Sequence, residues 1–440
     1  GNKNKAIEFY NLSHKKNPEH LETICELAKL YSKTKKLTEA KNFYRLGYRI
    51  KPNDPQLMEL MISILYQEGK FEESLRLAKK LFQISSTKDK FETEINVATN
   101  LNELGFYEDA RKILLKYNDN NTARFNLSLI DFREGNFSKV WSNYECGIEI
   151  EQRNVRGYKI CEASLPYWMP NKDFKSVLVL GEQGIGDEVM FSTILPDFFK
   201  LNNIDVSFFI DKRLKKLFQN TFPKHHFIEK LDSLVIKKHD SFIPLGSLAM
   251  YYRNSFENFS KSKKLIFKPD NNDLSKLNKI YNYKKKPIIG LAWDTANISH
   301  AKRRKVSLKK LLSYLIDLNC DFISLQYDEN QNEIKSCSKK FKREIFLFDG
   351  QDNKNDLNML AAKIALCDIV ISIEGFTAEF ASSLNADTLV ILSKYANYRW
   401  MEKESSSVWF PSAKLFRQTK LYDWDNVLAN IKEYCAEKLN

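Results

Sequence analysis

Residues 176–196 read SVLVLGEQGIGDEVMFSTILP. The run Val177-Leu178-Val179-Leu180 is short and continuously apolar, as expected of a strand covered on both faces in a parallel sheet. Gly181, Gly184 and Gly186 follow it, and glycines there allow a tight turn and close backbone approach. Asp187 stands where the next helix should begin. The spacing is G-x-x-G-x-G, which is not the dinucleotide fingerprint G-x-G-x-x-G, and no Walker lysine follows.

Similar apolar runs recur downstream at Val206–Ile210, Ile288–Trp293, Phe322–Leu325, Ile369–Ile373 and Thr388–Leu392. Helical patterns lie between them, over 188–200, 211–220, 307–318, 355–366 and 376–384. Strands alternating with helices predict parallel sheets with crossovers. Two sets are expected, 176–285 and 286–440, the second ending in a helix from about 424 to 438. The Lys- and Asn-rich stretch 254–286 suits an inter-domain connection. Upstream, 151–175 reads as a connector, and Pro166 and Pro170 oppose a helix at its end.

The first 150 residues repeat. Asn17-Pro18 is followed 34 residues later by Lys51-Pro52, and at that offset Leu27 matches Met61, Leu37 matches Phe71 and Ala40 matches Ser74. Each unit reads as two amphipathic helices joined by a turn such as Glu68-Gly69-Lys70. Further turns at Leu104-Gly105-Phe106 and Glu134-Gly135-Asn136 extend the series to about four units. The segment resembles tetratricopeptide repeats.

The composition is that of a globular protein, with 43% hydrophobic and 28% charged residues. No apolar run approaches the ~20 residues of a membrane helix. No apolar h-region follows Gly1-Asn2-Lys3-Asn4-Lys5, so no signal peptide is expected there; Gly1 is not an initiator, which suggests a truncated start. The net charge is +13. Nucleic acid or anionic lipid is one reading of it; a Lys- and Asn-rich composition is the other and is preferred, since no recognition motif is present. Seven cysteines without a C-x-x-C, and six histidines without H-E-x-x-H or H-x-H, predict neither a disulfide framework nor a zinc site. His225, His226 and His300 read as surface or satisfied residues.

From Gly181 to Pro196 the sequence resembles the G-E-Q-G-x-G-D-x-x-x-F-x-x-x-x-P signature of bacterial tetratricopeptide-repeat proteins with a glycosyltransferase-like C-terminal region. That region is in turn similar to the heptosyltransferases of lipopolysaccharide synthesis. Gly290-Leu291-Ala292-Trp293, Arg304-Lys305-Val306-Ser307-Leu308, Tyr398-Arg399-Trp400, Trp409-Phe410-Pro411, Leu415-Phe416-Arg417-Gln418 and Asp423-Trp424 match further elements of the pattern. Trp141-Ser142-Asn143-Tyr144-Glu145 matches its W-x-x-Y-E. The sequence departs where the family reads S-x-D-T-x-x-x-H: it has Glu374 for the aspartate, Gly375 for the threonine and Glu379 for the histidine. The same combination of repeats and transferase occurs in O-linked N-acetylglucosamine transferases.

The resemblance implies a fold in three parts: an N-terminal α-solenoid of tetratricopeptide type over 1–150, then two Rossmann-like α/β domains in the GT-B arrangement. The first, 176–285, would face the acceptor and the second, 286–440, the nucleotide-sugar. It implies transfer of a hexosyl or heptosyl group to an acceptor hydroxyl by metal-independent, inverting displacement, in the cytoplasm. Asp187 would be the general base. Gly184, Gly186, Trp293, Arg303, Lys305, Glu374, Gly375, Phe376, Thr377 and Arg399 would bind the donor, with the cluster Lys302-Arg303-Arg304-Lys305 stabilising the leaving diphosphate. No cofactor beyond the nucleotide-sugar co-substrate and no nucleic acid is expected. The acceptor would be a polypeptide or glycan presented by the solenoid groove. The alternative is a non-catalytic scaffold with a degenerate transferase half. The cleft between 176–285 and 286–425 is expected to be the largest functional pocket, bordered by Asp187, Lys305 and Glu374.

Overall fold

The computed structural model describes residues 3–85, 90–201, 203–262, 266–281, 286–295, 301, 303–327, 331–348 and 352–439. His300 and Lys302 lie outside them. The chain divides into two compact units, with the boundary between Ile130 and Asp131.

The first unit is built of helical hairpins. Helices Leu21–Lys33 and Leu37–Ile50 are followed 34 residues on by Pro55–Gln67 and Phe71–Ile84, and then by Lys90–Glu103 and Tyr107–Leu114. Start signals are local. The Asp54 carboxylate accepts from the backbone N–H groups of Gln56 (3.1 Å) and Leu57 (3.3 Å), and Pro55 opens the helix. The hairpin turns need a left-handed residue, supplied by Lys35, Gly69 and Gly105. Ala40, Ser74 and Ala110 are fully buried where paired helices cross. The Ser74 hydroxyl is satisfied by donating to the Ile62 carbonyl at 3.0 Å.

The second unit begins inside the helix Asn121–Glu134, includes helix Phe137–Glu149, and contains both sheets. Among the described residues the first sheet has strands β1 (Ser176–Leu180), β2 (Asp205–Phe209), β3 (His226–Phe227) and β4 (Phe242–Pro244), all parallel, in the order β3-β2-β1-β4. The second has β5 (Ile288–Ala292), β6 (Asp321–Ser324), β7 (Ile345–Phe346), β8 (Ile369–Ile373), β9 (Thr388–Leu392) and β10 (Ala413–Arg417) in the order β10-β9-β8-β5-β6-β7. This is a helical-repeat region followed by two Rossmann-like parallel sheets. Helix Asp425–Leu439 closes the second sheet, burying Val427, Leu428 and Ile431 against the core that contains Ile289, Leu291 and Ile371.

Three segments differ from the sequence reading. The helix expected over 188–200 is two helices, Ile185–Ser192 and Leu195–Leu201, the second with Pro196 in its first turn, where a missing N–H costs least. The connector is part of the first sheet's packing. Trp168 is buried, its N–H donates to the Phe242 carbonyl at 2.9 Å, and Val155 bridges Glu182. The stretch 254–286 holds helices Phe256–Ser260 and Asn271–Ile280.

In an open parallel sheet, ligands bind beyond the strand C-termini where the strand order reverses. In the first sheet that point lies at β1, between β2 and β4. In the second it lies at β5 and β8. The loops after these strands are 181–184, 293–295 and 374–375.

Candidate functional site

The loop after β1 is held by buried charge. Glu182 is fully buried against the fully buried Arg153, with Nη2 to Oε2 at 2.6 Å. Arg153 also donates to the Glu145 carboxylate and to Ser247 Oγ (2.9 Å), and lies 4.5 Å over the Tyr144 ring. Gln183 Nε2 donates to the Tyr144 hydroxyl at 2.7 Å, and the Trp141 indole N–H donates to the Arg253 carbonyl at 2.7 Å. Trp141, Tyr144 and Glu145 are spaced i, i+3, i+4, so one helical face carries all three contacts. The glycines of the loop make room for carboxylates. A Cβ on Gly181 would stand 2.4 Å from Glu188 Oε1, and one on Gly186 would stand 2.1 Å from Glu379 Oε2.

Asp187 sits at the third position of helix Ile185–Ser192. Its Oδ2 accepts from the Gly184 N–H at 3.1 Å, closing a capping arrangement. Its Oδ1 accepts from Arg399 Nη2 at 2.6 Å. Arg399 belongs to the second sheet's half, on the turn Tyr398–Trp400, and its Nη1 donates to Glu379 Oε1 at 2.6 Å. One guanidinium therefore clamps carboxylates from both halves. Burial works against the Arg399 charge, but Asp187 and Glu379 more than offset it and hold it firmly protonated. Burial raises the Glu379 carboxyl, which Arg399 counteracts.

Glu374, after β8, continues the chain of contacts. Its carboxylate accepts from the Asn397 N–H (2.8 Å) and Ser393 Oγ (3.1 Å), and Arg304 Nε lies 3.3 Å away. Asn397 Oδ1 in turn accepts from Arg399 Nε at 3.1 Å. Gly375 follows, and a Cβ there would meet nothing within 4 Å. This open position precedes helix Phe376–Ser383, whose first N–H groups have no side-chain cap from Gly375.

The structure thus brings together Gly184, Gly186, Asp187, Glu374, Gly375 and Arg399. The other expected residues lie elsewhere or face inward. Trp293 is buried in the core of the second sheet, and its indole N–H donates to Glu333 at 3.1 Å, so it is a packing residue. Arg303 and Thr377 are buried. Phe376 stacks on Phe380 with centroids 5.1 Å apart. Lys305, half-exposed, pairs with Asp294 after β5. Arg304, between the two cations singled out by sequence, is the one that reaches Glu374. Arg153, Asn397 and the clamp on Glu379 were missed, because no local pattern pairs residues this far apart.

A cavity of about 450 Å³ between the two halves is lined by Thr193, Ser382 and Trp409 among others, and by none of Asp187, Lys305 or Glu374. The Arg399 clamp closes the helices together at their N-terminal ends, and the space opens at their C-terminal ends. No group of three or more His, Cys, Asp or Glu side chains suited to a metal ion occurs among the described residues. No helix there is long and apolar enough to cross a membrane.

Two buried carboxylates, Glu182 in the loop and Glu188 in the helix after it, make stability depend on pH. Burial lifts Glu188 to about 7, against the opposing Asp211 N–H (2.8 Å) and Arg156 (3.0 Å), and burial lifts Glu182 to about 7 against Arg153. A carboxyl whose folded pKa is raised gives stability that is complete below its unfolded pKa, about 4.5, and is lost as pH rises through about 7. The melting temperature should therefore fall between about pH 5 and pH 8 from these two groups, and Glu188→Gln should flatten that slope. An unchanged slope in the variant would remove Glu188 from this account.

No known family profile matches the chain. Protein FlbA of Caulobacter vibrioides is 25% identical over 279 residues, covering 58% of this chain and 46% of FlbA. The chain thus spans less than half the length of that curated relative. Among solved structures, a family 9 glycosyl transferase from Veillonella parvula is 10% identical over 60% of this chain and 97% of its own, with a TM-score of 0.44. The O-GlcNAc transferase of Thermobaculum terrenum is 10% identical over 100% of this chain and 89% of its own, with a TM-score of 0.41.

Proposed function

We propose that the chain is a glycosyltransferase that moves a sugar from a nucleotide-sugar to an acceptor hydroxyl. The observation that carries the reading is the clamp. Arg399 joins Asp187, beyond the first sheet's switch point, to Glu379 and through Asn397 to Glu374, beyond the second's, next to the open position at Gly375. A diphosphate placed there meets uncapped N–H groups and the cations Arg399, Arg304 and Lys305.

In this reading the diphosphate draws Arg399 from Asp187 and frees Oδ1. The acceptor oxygen attacks the anomeric carbon from the face opposite the diphosphate. The bond from that carbon to the phosphate oxygen breaks, the diphosphate leaves with the electron pair, and Asp187 takes the hydroxyl proton. The cations stabilise the leaving charge in the role a metal plays elsewhere. The acceptor would be a polypeptide or glycan recognised by the helical repeats, and the enzyme would work in the cytoplasm.

A thermal-shift panel of UDP-, GDP-, ADP- and CMP-sugars tests the donor. A ligand at 100 times its Kd adds about 2.7 kcal/mol to the native state. Turnover with the stabilising donor should persist in excess chelator; loss that magnesium or manganese restores would overturn the metal-independent step. The scaffold reading is favoured by two observations: Glu379 stands where the family has histidine, and Arg399 occupies Asp187. It prevails if no donor in the panel binds.

A further inference from the structure

A cavity lies at the far ends of the interface helices, apart from the clamp. Asp187 and Thr193 lie six residues apart along one helix and its cap, so this wall is about 9 Å from the clamp at 1.5 Å per residue. Helix Phe376–Ser383 likewise presents Gly375 at one end and Ser382 at the other.

Its lining has a definite chemistry. The hydroxyl protons of Thr193, Ser260, Ser382 and Ser412 are committed to backbone carbonyls, those of Met190, Glu257, Ala378 and Ser382, at 2.7, 3.1, 2.7 and 3.0 Å. These four oxygens keep lone pairs and accept hydrogen bonds, and Ser407 Oγ, which accepts from the Phe410 N–H at 3.2 Å, adds a further hydroxyl to the same wall. Two of the three charged lining residues are paired, Arg253 Nη2 lying 2.8 Å from Asp197 and Glu257 pairing with Lys261, and the third is the exposed Glu404. Phe259, Trp409 and Phe410 add aromatic surface, Phe259 and Trp409 packing edge to face at 4.8 Å. The buried Trp409 indole N–H has no acceptor among the described residues. A phosphate finds no uncommitted cation here, and a lipid chain would strand the polar wall. A neutral polyol brings a donor on each hydroxyl, an acceptor for the indole and C–H faces for the rings. The volume, about 450 Å³, is of the size that takes small ligands.

We propose that this cavity binds a neutral mono- or disaccharide, separately from any donor at the clamp. The inference stands on the cavity alone and does not require the transferase reading.

Chitobiose, maltose and mannobiose are titrated into the full chain by calorimetry and saturation-transfer NMR. At least one should bind with a Kd of about 1–10 mM. Ser406→Phe, at an exposed lining position, should weaken that binding at least about tenfold, whereas Asp187→Asn should leave it unchanged. Asn385→Gly keeps the left-handed backbone of Asn385 and removes its amide, so it serves if Ser406→Phe melts early; it should weaken binding about threefold or more. Three results overturn the proposal: no binding by any of the sugars, binding indifferent to the cavity variant, or spermidine binding in their place and lost with it. Binding lost in Asp187→Asn would instead assign the sugar to the clamp.

Discussion

Asp187→Asn should lower the rate of sugar transfer by about 10²–10⁴-fold while leaving donor affinity within a few-fold of the parent. Asparagine keeps the size and can still accept from the Gly184 N–H, so the cap survives. It cannot take the acceptor proton. It also lacks the charge that binds Arg399, and a guanidinium released from Asp187 is available to the diphosphate. Donor affinity should therefore hold or tighten as the rate falls, a split that mere misfolding does not produce. The check is donor affinity by calorimetry beside single-turnover transfer. Transfer at the parent rate would remove Asp187 as the base.

Arg153→Met should cost about 3–5 kcal/mol, the range for breaking a buried ion pair by deleting one partner. The variant leaves Glu182 fully buried beside Glu145 with no cation, and takes the ring contact from Tyr144. Since burial already lifts Glu182 to about 7, the loss should be smaller in mild acid, where the carboxyl enters the fold neutral. Adding Glu182→Gln to Arg153→Met should restore part of it. Urea unfolding of the three variants at two pH values measures this. A loss below about 1 kcal/mol would mean that the loop is held by other contacts.

The strands legible in the sequence are β1, β2, β5, β6, β8 and β9, each at or near a sheet centre where both faces are covered and the run is mostly apolar. Those missed are short or peripheral. β3 and β7 are two-residue edges, β4 is three residues ending in Pro244, and β10 alternates buried with half-exposed residues. The site was legible in proportion to how local it is. The glycine-flanked Asp187 and the turn at Glu374-Gly375 stand out because each lies within one strand–turn–helix unit. The clamp does not, because Asp187 and Arg399 are separated by 212 positions. The W-x-x-Y-E helix was visible as a motif, but its task of bracing the loop after β1 needed coordinates.

That bracing helix bears on how such chains can be recombined. Phe137–Glu149 has repeat spacing yet belongs with the sheets, since Tyr144 and Glu145 complete the support of Gln183 and Arg153. A splice at residue 150, where the repeats end by sequence, would strip the sheet-bearing half of its own scaffolding. The seam between the two compact units lies upstream, between Ile130 and Asp131, so a splice that keeps the whole of helix Asn121–Glu134 with the sheets should leave the support of the loop after β1 intact. The earlier hairpins are then free to vary while the last one stays tied to the loop after β1.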